Sequence, residues 1–472
     1  MIEKLLKFEN ENVELINYKF NNSDNLMWPF IRMKIFTDII SKKLNLSEPH
    51  ANKKSIKFSD KIKYFYNLIF NPVFYINKTF DILSISISRT NMLKESKYFN
   101  FLYDYYNLIY PEKTIFLEEA FRMKFYKNKY FKNTYLFDSL KLKPYLYSKF
   151  NFLKTRDNNI KYFINSLKKI KLFDENYYNN LEKLLNRTSI RVYYLEKLFG
   201  KFLRKIKPKI LFLNTASYGG TNVILIKVAK EMGIKTAEFQ HGVITKSHIA
   251  YNYGEEVFKN KEYQKYLPDY LLTYGDFWNE NMRIPVKKIT IGNPHFWYNY
   301  DKINNFKEEI NKKRILIVSQ GALTNIYVKI AKELSKKISN DYEIIFKLHP
   351  GEVAFEERYK DLENYDNIII KKDGDIYELI NISDYIVSIY STTIFEAASL
   401  NKPVYVYKHP MSDAYIPEDI GERVRDTNEL YEKIIENIKS KNEYNINYFW
   451  NKNWKENYRK FLKDEIGIEV EK

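Results

Sequence analysis

The sequence predicts an α/β protein with two parallel sheets, each formed by its own series of strand–helix–strand units. The first series is clearest at residues 209–240, where a strand, a helix at 221–232 and a second strand follow one another. A second series begins at residue 314. Its strands are predicted at 314–318, 343–348, 368–370 and 385–389, and its helices at 325–338 and 375–381. The polar stretch 293–311 separates the two series, so we expect two sheet-containing domains that face each other across a cleft.

Before residue 209 the pattern is mainly helical, with two strands embedded in it. Apolar runs predict these strands at 81–88 and 114–117. Helices are predicted over 1–80 with a polar break at 21–24 and a helix at 25–44, then at 101–110 and as long helices over 158–205. The first domain is therefore expected to carry a large helical insertion around its sheet.

Composition excludes several classes of protein. The chain has 472 residues and no cysteine, so it has neither disulfides nor thiolate metal sites. No run of about 18 apolar residues is present, which argues against an integral membrane protein, and the first residues lack the apolar core of a secretory signal. We expect a cytoplasmic protein, with peripheral attachment to the inner face of the membrane as an additional expectation.

The charge and the glycine content of the chain both change near residues 200–207. In residues 1–207, Lys and Arg outnumber Asp and Glu by 39 to 20, whereas the remainder is close to neutral. All thirteen glycines lie from Gly200 onward. Tight phosphate-binding turns need glycine, so the nucleotide is expected in the second half. The basic first half is expected to attract an anionic partner, such as an acidic or lipid-linked glycan or an anionic membrane surface, rather than nucleic acid.

The most informative segment is 388–400, a hydroxyl-rich turn between two apolar runs. Ser391, Thr392 and Thr393 begin a predicted helix, and Glu396 follows about one turn later. Such a turn lies at the carboxyl edge of a parallel sheet, where open α/β sheets bind ligands. Hydroxyls and free N–H groups at a helix start can hold a phosphate, and Glu396 could accept hydrogen bonds from two ribose hydroxyls. This arrangement predicts nucleotide binding.

The same segment resembles the donor-binding motif of GT-B glycosyltransferases and of nucleotide-sugar 2-epimerases. A second motif, 346–352, contains His349-Pro350 and is similar to one in bacterial sialyltransferases, polysialyltransferases and the glycerophosphotransferases of teichoic acid synthesis. A third, His241-Gly242, is similar to the His-Gly turn of the glycerophosphotransferases and of many capsule proteins. These resemblances span roughly residues 209–445 and imply a GT-B fold with two Rossmann-like domains.

The resemblance also implies boundaries and roles. The expected domains are an acceptor-side domain at 1–300, a donor-binding domain at 301–445 and a C-terminal helix at 446–472 that crosses back to the first domain. It implies that His349 contacts the donor phosphate, with Lys347 adding positive charge on the same strand face. The donor-site candidates are Gln320, Gly321, Lys347, His349, Pro350, Ser391, Thr392, Thr393 and Glu396.

Transfer with inversion requires a base that takes the acceptor proton. His241 is the first candidate because it ends a strand that should face the cleft. Glu118 and Glu119, after the second predicted strand, are the carboxylate alternatives. The turn with Ser217, Tyr218 and Gly219 is the predicted acceptor site.

No metal or other cofactor is expected. Asp373-Gly374-Asp375 has the spacing of a metal-binding pair, but it directly precedes a predicted helix, where Asp is a common capping residue. Retaining GT-B enzymes often have two glutamates eight positions apart at this site; here Ser388 stands eight before Glu396, which favours inversion.

Together these patterns predict an inverting, nucleotide-sugar-dependent GT-B glycosyltransferase that extends a bacterial capsule or surface glycan. The resemblance of the His-Pro and Ser/Thr motifs to those of sialyltransferases implies a CMP-activated nonulosonic acid as the preferred donor. The alternatives are a CDP-polyol phosphotransferase, a nucleotide-sugar epimerase and a non-catalytic glycan-binding protein.

Overall fold

The computed structural model describes residues 2–46, 56–151, 157–169, 171, 173–304, 312–438 and 444–469. Two parallel sheets, each covered by helices, form two Rossmann-like domains whose carboxyl edges face a common cleft. The GT-B fold expected from the sequence is confirmed.

The first domain contains a seven-stranded parallel sheet of order β5-β4-β1-β6-β7-β8-β9 and a separate antiparallel hairpin, β2–β3. The strands are β1 Ile82–Ile87, β2 Asn91–Lys94, β3 Lys97–Asn100, β4 Thr114–Glu119, β5 Thr134–Leu136, β6 Ile210–Leu213, β7 Lys235–Phe239, β8 Tyr270–Thr273 and β9 Lys287–Thr290. Residues buried on both faces, as in the Ile-Leu-Phe-Leu run of β6, explain the continuous apolar pattern.

The second domain contains a six-stranded parallel sheet of order β12-β11-β10-β13-β14-β15. Its strands are β10 Lys313–Val318, β11 Tyr342–Lys347, β12 Ile368–Lys371, β13 Tyr385–Ser388, β14 Val404–Tyr407 and β15 Glu422–Val424. In this order β11 and β13 flank β10, so the turns that follow these three strands meet at one edge.

Helices surround both sheets, and the first domain carries the longer ones. In the first domain they are α1 Ile2–Glu11, α2 Val13–Asn17, α3 Trp28–Lys43, α4 Phe58–Ile69, α5 Asp104–Asn107, α6 Asp138–Asn151, α7 Asn158–Lys168, α8 Glu175–Ile206, α9 Val223–Glu231, α10 Glu255–Lys259, α11 Lys261–Gln264 and α12 Asp276–Glu280. They are followed by α13 Pro294–Asn304, α14 Thr324–Ser335, α15 Ile376–Asn381, α16 Thr392–Ser399, α17 Pro410–Tyr415, α18 Thr427–Ile435, α19 Ile446–Phe449 and α20 Trp454–Ile466.

Two predicted helices are shorter or divided. The helix predicted at 101–110 is reduced to α5, because Asn100 and Asp104 bind backbone N–H groups in a tight turn there. The C-terminal helix is divided into α19 and α20, and the intervening Trp450 is fully buried. Its burial fixes the chain in a non-helical conformation at that position.

The C-terminal segment connects the two domains. Tyr458, Phe461 and Leu462 of α20 pack on the first sheet. Upstream, Trp450 donates a hydrogen bond from Nε1 to Ser399 Oγ at the end of α16, 2.9 Å away. The chain thus runs from the second domain back across the first. Within the described residues, no helix is both long and apolar enough to span a bilayer.

Candidate functional site

The two domains meet where their sheets end. Gly242 follows β7 of the first domain, and Thr392 begins α16 of the second. A Cβ placed on Gly242 would lie 3.8 Å from Thr392 Oγ1, an ordinary van der Waals contact. The His-Gly turn and the hydroxyl turn, which are 150 positions apart in the sequence, therefore face each other directly across the cleft.

His349 is held in a defined tautomer at this edge. Its Nδ1 accepts a hydrogen bond from the Gly351 N–H at 3.0 Å, so in the neutral ring the proton must be on Nε2. Burial, together with the positive charges of Arg89 and Lys347, lowers the pKa of His349 to about 4. At neutral pH the ring is therefore an uncharged donor with its Nε2–H free for a ligand.

Glu352 orders the turn around His349, and the sequence analysis assigned it no role. Its carboxylate is 3% exposed and accepts hydrogen bonds from the His349 N–H and from Ser319 Oγ, both at 2.7 Å, and from the Tyr359 hydroxyl. A Cβ on Gly321 would lie only 3.0 Å from Glu352 Cγ. Glu352 thus joins the turns after β10 and β11 and holds them close together.

The hydroxyl turn combines a helix cap with a titratable carboxyl. Ser391 Oγ accepts from the Thr393 N–H at 3.2 Å, so it caps α16, while Thr392 is partly exposed. Glu396 accepts a hydrogen bond from the Tyr377 hydroxyl at 2.8 Å. Burial raises the pKa of Glu396 to about 7, although the hydroxyls of Tyr377 and Thr393 favour its charged form.

Opposite this turn, His241 belongs to an aromatic and imidazole cluster. Its ring lies 5.3 Å from that of Tyr218, and its Nδ1 is buried without a hydrogen-bond partner among the described residues. His248 Nδ1 accepts from the Ala250 N–H at 3.2 Å, so its Nε2–H donates to the Tyr218 hydroxyl oxygen, 3.0 Å away. The Tyr218 hydroxyl proton is thereby free to be donated. Burial and the charges of Arg89 and His248 lower the pKa of His241 to about 3.

Arg89 is the cationic residue of this cleft that the sequence analysis missed. It lies in the turn Ser88–Thr90 directly after β1 and is exposed. Across the described ranges it has neither a hydrogen bond nor an ion pair. Its positive charge lowers the pKa of both His241 and His349, so it acts on both sides of the cleft. The sequence could have indicated Arg89, because it is a charged residue at the carboxyl end of a predicted strand, where open α/β sheets bind ligands.

The two carboxylates proposed as alternative bases are each paired with a lysine. Glu118 is fully buried, forms an ion pair with Lys129 and accepts from Asn91 Nδ2 at 2.8 Å. Glu119 pairs with Lys141 at 3.0 Å. Because the partners of Glu118 enclose it completely, it cannot meet an acceptor hydroxyl in this conformation.

Two of the three predicted acceptor residues are packing residues. Ser217 is buried and bound through both its N–H (2.8 Å) and its hydroxyl (2.6 Å) to Glu238. Gly219 has φ +80°, and a Cβ there would be 2.4 Å from the Pro29 carbonyl oxygen. Only Tyr218 reaches the imidazole cluster. Burial raises the pKa of Glu238, which supports this turn, to about 7.

The remaining donor candidates surround His349. Lys347 is buried and donates to the carbonyls of Leu348 (3.0 Å) and Lys372 (3.3 Å), so it stabilises the strand end rather than reaching into the cleft. Gln320 is half-buried and Pro350 is exposed. The structure therefore brings His349, Gly321 and the hydroxyl turn to one edge, with Lys347 beneath them.

A cavity of about 400 Å³ opens beside His349 between the two domains. Gly321, His349 and Tyr390 line it from the second domain, and Thr37 and Ile40 of α3 close it from the first. A volume of this size is in the range of small-molecule sites. The helical region of the first domain thus forms one wall of the cleft.

Comparison with known proteins gives a match for the second domain. Residues 305–461 match the family model described as CDP-Glycerol:Poly(glycerophosphate) glycerophosphotransferase. This is about a third of the chain, and it contains both the His-Pro turn and the hydroxyl turn. A search of curated proteins finds no match.

Several solved structures are similar to the chain. UDP-GlcNAc 2-epimerase from Neisseria meningitidis, bound to UDP-GlcNAc, has 14% identity and a TM-score of 0.46, with 83% of this chain and 100% of that chain covered. The wall teichoic acid polymerase TagF has 14% identity and a TM-score of 0.42, with 87% and 93% covered. The glycotransferase of kitacinnamycin has 9% identity and a TM-score of 0.42, with 76% and 90% covered.

Proposed function

We propose that the protein is a CDP-polyol phosphotransferase that moves a polyol phosphate from a cytidine diphosphate donor to a hydroxyl of a bacterial surface polymer. The observation that carries the proposal is the close approach of Gly242 to Thr392 across a cleft that has a neutral histidine on each side, His241 on one and His349 on the other. The match of residues 305–461 to the glycerophosphotransferase family favours this donor over a CMP-activated nonulosonic acid.

The reaction follows from these positions. The acceptor hydroxyl oxygen attacks the phosphorus that bears the polyol, and a new phosphodiester bond forms. The bond from that phosphorus to the bridging oxygen breaks, and CMP leaves with the electron pair. His349 Nε2–H and the N–H groups at the start of α16 stabilise the charge on the departing CMP. Arg89 stabilises the phosphate in transfer.

His241 takes the proton of the acceptor hydroxyl in this proposal. Its pKa of about 3 makes it neutral at pH 7, so one of its ring nitrogens carries no proton and can accept one. A donor phosphate bound beside it raises this pKa, because a nearby negative charge favours the imidazolium. The donor thereby strengthens the base at the moment when it is needed.

The decisive experiment is calorimetric titration with CDP-glycerol, a CMP-linked nonulosonic acid, UDP-GlcNAc and GDP-mannose, followed by turnover assays. We expect CDP-glycerol to bind most tightly and to release CMP when a polymer acceptor is added. The control is Thr392→Ala, which should weaken CDP-glycerol binding by roughly 1–3 kcal/mol. Preferred binding and turnover of the CMP-linked sugar would restore the glycosyltransferase interpretation, and conversion of UDP-GlcNAc would establish an epimerase.

We further propose that transfer requires no divalent metal. Asp375 Oδ1 accepts from the Tyr377 N–H at 2.9 Å and so caps α15. Because the Asp375 carboxylate already accepts a hydrogen bond from the start of the helix, its Asp-x-Asp spacing is explained without a metal ion. Activity should therefore persist in EDTA, and full inhibition that Mg²⁺ reverses would show the proposal to be wrong.

We also propose an anionic membrane surface as a partner of the first domain. Helix α4 supports this, because apolar side chains spaced along one face point into solvent. Phe58 and Phe65 of this helix and Phe70 at its C-cap are 76%, 51% and 64% exposed, and the exposed Lys61 and Lys63 lie between Phe58 and Phe65 in sequence. Aromatic residues with interspersed lysines are typical of helices that lie in a membrane interface.

Vesicle co-sedimentation tests this partner. Wild type should bind vesicles containing anionic lipid and bind neutral vesicles much less, with affinity that falls as salt is added. The triple variant Phe58→Ser/Phe65→Ser/Phe70→Ser should lose most of this binding. Equal binding by the variant, or by neutral vesicles, would argue against the membrane partner.

A further inference from the structure

A second groove lies in the first domain, between α4 and the loop 121–128, with Tyr98 of the β2–β3 hairpin at its side. Its volume is about 680 Å³, and it shares no lining residue with the cleft cavity beside His349. Nothing in the proposed reaction uses it. Its lining combines aromatic rings with lysines.

Two tyrosine rings of the groove are stacked face to face. Tyr98 and Tyr126 are stacked, with centroids 3.8 Å apart and planes 13° from parallel. The Lys127 ammonium lies 5.1 Å from the centroid of Tyr66 on the opposite wall. The rings therefore offer an apolar surface along the groove, and Lys127 joins its two walls.

The charge of the groove is positive. Lys63, Lys124 and Lys127 line it and are exposed, whereas Asp60 is the one acidic residue in the lining. Exposed lysines beside aromatic faces suit a ligand with negative groups and apolar C–H surfaces.

The loop that forms one wall of this groove is joined to the turn that carries Arg89 in the cleft. Ser88 Oγ accepts from the Phe121 N–H at 2.7 Å and donates to the Lys124 carbonyl at 3.0 Å. Arg89 is the next residue, and its charge acts on His241 and His349 in the cleft. One turn of chain therefore connects the lysines of the groove to the place where the phosphate is transferred.

We propose that this groove, from Tyr66 and Lys127 to Arg89, is the subsite that binds the growing end of an anionic, hydroxyl-rich polymer as the acceptor. The inference rests on the transferase function proposed above and adds the class and path of its acceptor. The lysines pair with the repeating anionic groups of the chain. The tyrosine faces pack against its C–H surfaces, and the terminal hydroxyl reaches the phosphate that Arg89 holds near His241.

Two polymers share this chemistry: a glycan with carboxylates and a polyol chain joined by phosphodiesters. Single-stranded nucleic acid also binds grooves of lysines and stacked rings, but it is not a surface polymer of the kind that the proposed transferase extends. The arrangement favours the hydroxyl-rich polymer, and nucleic acid is an outcome of the test.

The test uses the full chain and measures binding of four fluorescent oligomers by anisotropy: oligo(glycerol phosphate), oligo(sialic acid), neutral dextran and single-stranded DNA. The groove variant is Lys63→Ala/Lys124→Ala/Lys127→Ala. Its matched control is Lys161→Ala/Lys183→Ala/Lys201→Ala, which removes the same charge from exposed positions outside the groove. Tyr126→Leu removes the stacked pair, and Tyr126→Phe keeps it. CDP-glycerol affinity is measured for every variant.

We expect at least one anionic oligomer to bind, the groove variant to weaken it about tenfold or more, and the control to change it less than about twofold. Tyr126→Leu should weaken binding and Tyr126→Phe should retain it, with CDP-glycerol affinity unchanged throughout. The anionic oligomer that binds more tightly shows whether the acceptor carries phosphodiesters or carboxylates.

Equal weakening by both lysine triples would overturn the inference, because net charge alone would then explain binding. Tighter binding of DNA, equal binding of dextran, or no binding of any oligomer would also overturn it. If the groove result holds while CDP-glycerol fails to bind, the proposed donor is wrong and the polymer groove stands.

Discussion

His349 is a residue whose two ring nitrogens have separate tasks. Nδ1 accepts from the Gly351 N–H and so shapes the turn, whereas Nε2–H is free to bind phosphate. The side-chain oxygen of asparagine can replace Nδ1 as the acceptor, and the side-chain N–H of glutamine can replace the Nε2–H donor. We expect His349→Asn to lower kcat by about 100-fold, as loss of one charge-stabilising donor does, and His349→Gln to retain more activity.

Steady-state kinetics of both variants, with thermal unfolding as a control for folding, measure this difference. Equal loss in the two variants at unchanged stability would contradict a donor role for Nε2–H. The result also separates phosphate binding from maintenance of the turn, which Glu352 supports independently through the His349 N–H.

Glu396 predicts a pH dependence of donor binding. Burial raises its pKa to about 7, so it is largely protonated at pH 6 and largely ionised at pH 8. Only the ionised carboxylate can accept from both ribose hydroxyls. Affinity for CDP-glycerol should therefore rise as the pH increases through about 7 and then level off. CDP-glycerol suits this measurement because neither of its phosphates titrates in the range.

The control for this pH dependence is Glu396→Gln, whose amide does not titrate. Its CDP-glycerol affinity should be lower than that of wild type at pH 8 and nearly independent of pH. The same slope in both proteins would assign the pH dependence to another group.

At the scale of elements, a buried ion pair fixes the N-terminal helices to the loop that carries His248. Glu9 of α1 and Arg32 of α3 are each 1% exposed, with Oε1 2.6 Å from Nε. Arg32 also donates to the carbonyls of Ile249 and Asn252. The ion pair thus holds α1 and α3 together and fixes α3, which forms one wall of the cleft, to the loop that carries His248.

Loss of one partner of this pair should destabilise the fold strongly. We expect Arg32→Met to cost roughly 3–5 kcal/mol, because it leaves the Glu9 carboxylate buried without its charge partner. The double variant Glu9→Leu/Arg32→Met should cost less than the sum of the single changes. Chemical denaturation measures both, and strict additivity would show that the two side chains do not act as a pair.

At the scale of the whole molecule, one hydrophobic cluster spans both domains. Trp278 of the first domain and Phe395 of the second lie with ring centroids 4.9 Å apart, and Trp450 stacks on Phe296 at 4.8 Å. The buried apolar residues on both sides form one continuous cluster. Such an interface opposes independent unfolding of the domains.

Calorimetry should therefore show one unfolding transition for the wild type. Trp450→Ala should cost roughly 3–5 kcal/mol and separate the transition into two, since it removes the contact with Ser399 of α16. The matched control is Trp454→Ala, whose ring packs on Tyr105 and Tyr106 of the first domain. It should lower the Tm while leaving a single transition; two transitions in the wild type would contradict a shared core.

Local sequence patterns were sufficient to predict the two sheets, the order of the motifs and the turns that hold His349 and Thr392. These features depend on local patterns: apolar runs bounded by polar turns predict strands, and helical spacing predicts helices. The donor edge could be predicted because its residues directly follow strands of the same sheet, and the turn after a parallel strand must lie at its carboxyl edge.

Which polar side chains reach the cleft depends on contacts between parts of the chain that are distant in sequence. Glu118 follows a predicted strand as His241 does, yet the pairing with Lys129 buries it, and Ser217 is buried by Glu238. Arg89 and His248 reach the site from separate loops. Sheet order and loop packing are contacts between distant residues, and the direction of a side chain alternates with every position of a strand. Neither is recorded in a local pattern, so only the folded chain shows that one arginine acts on both histidines.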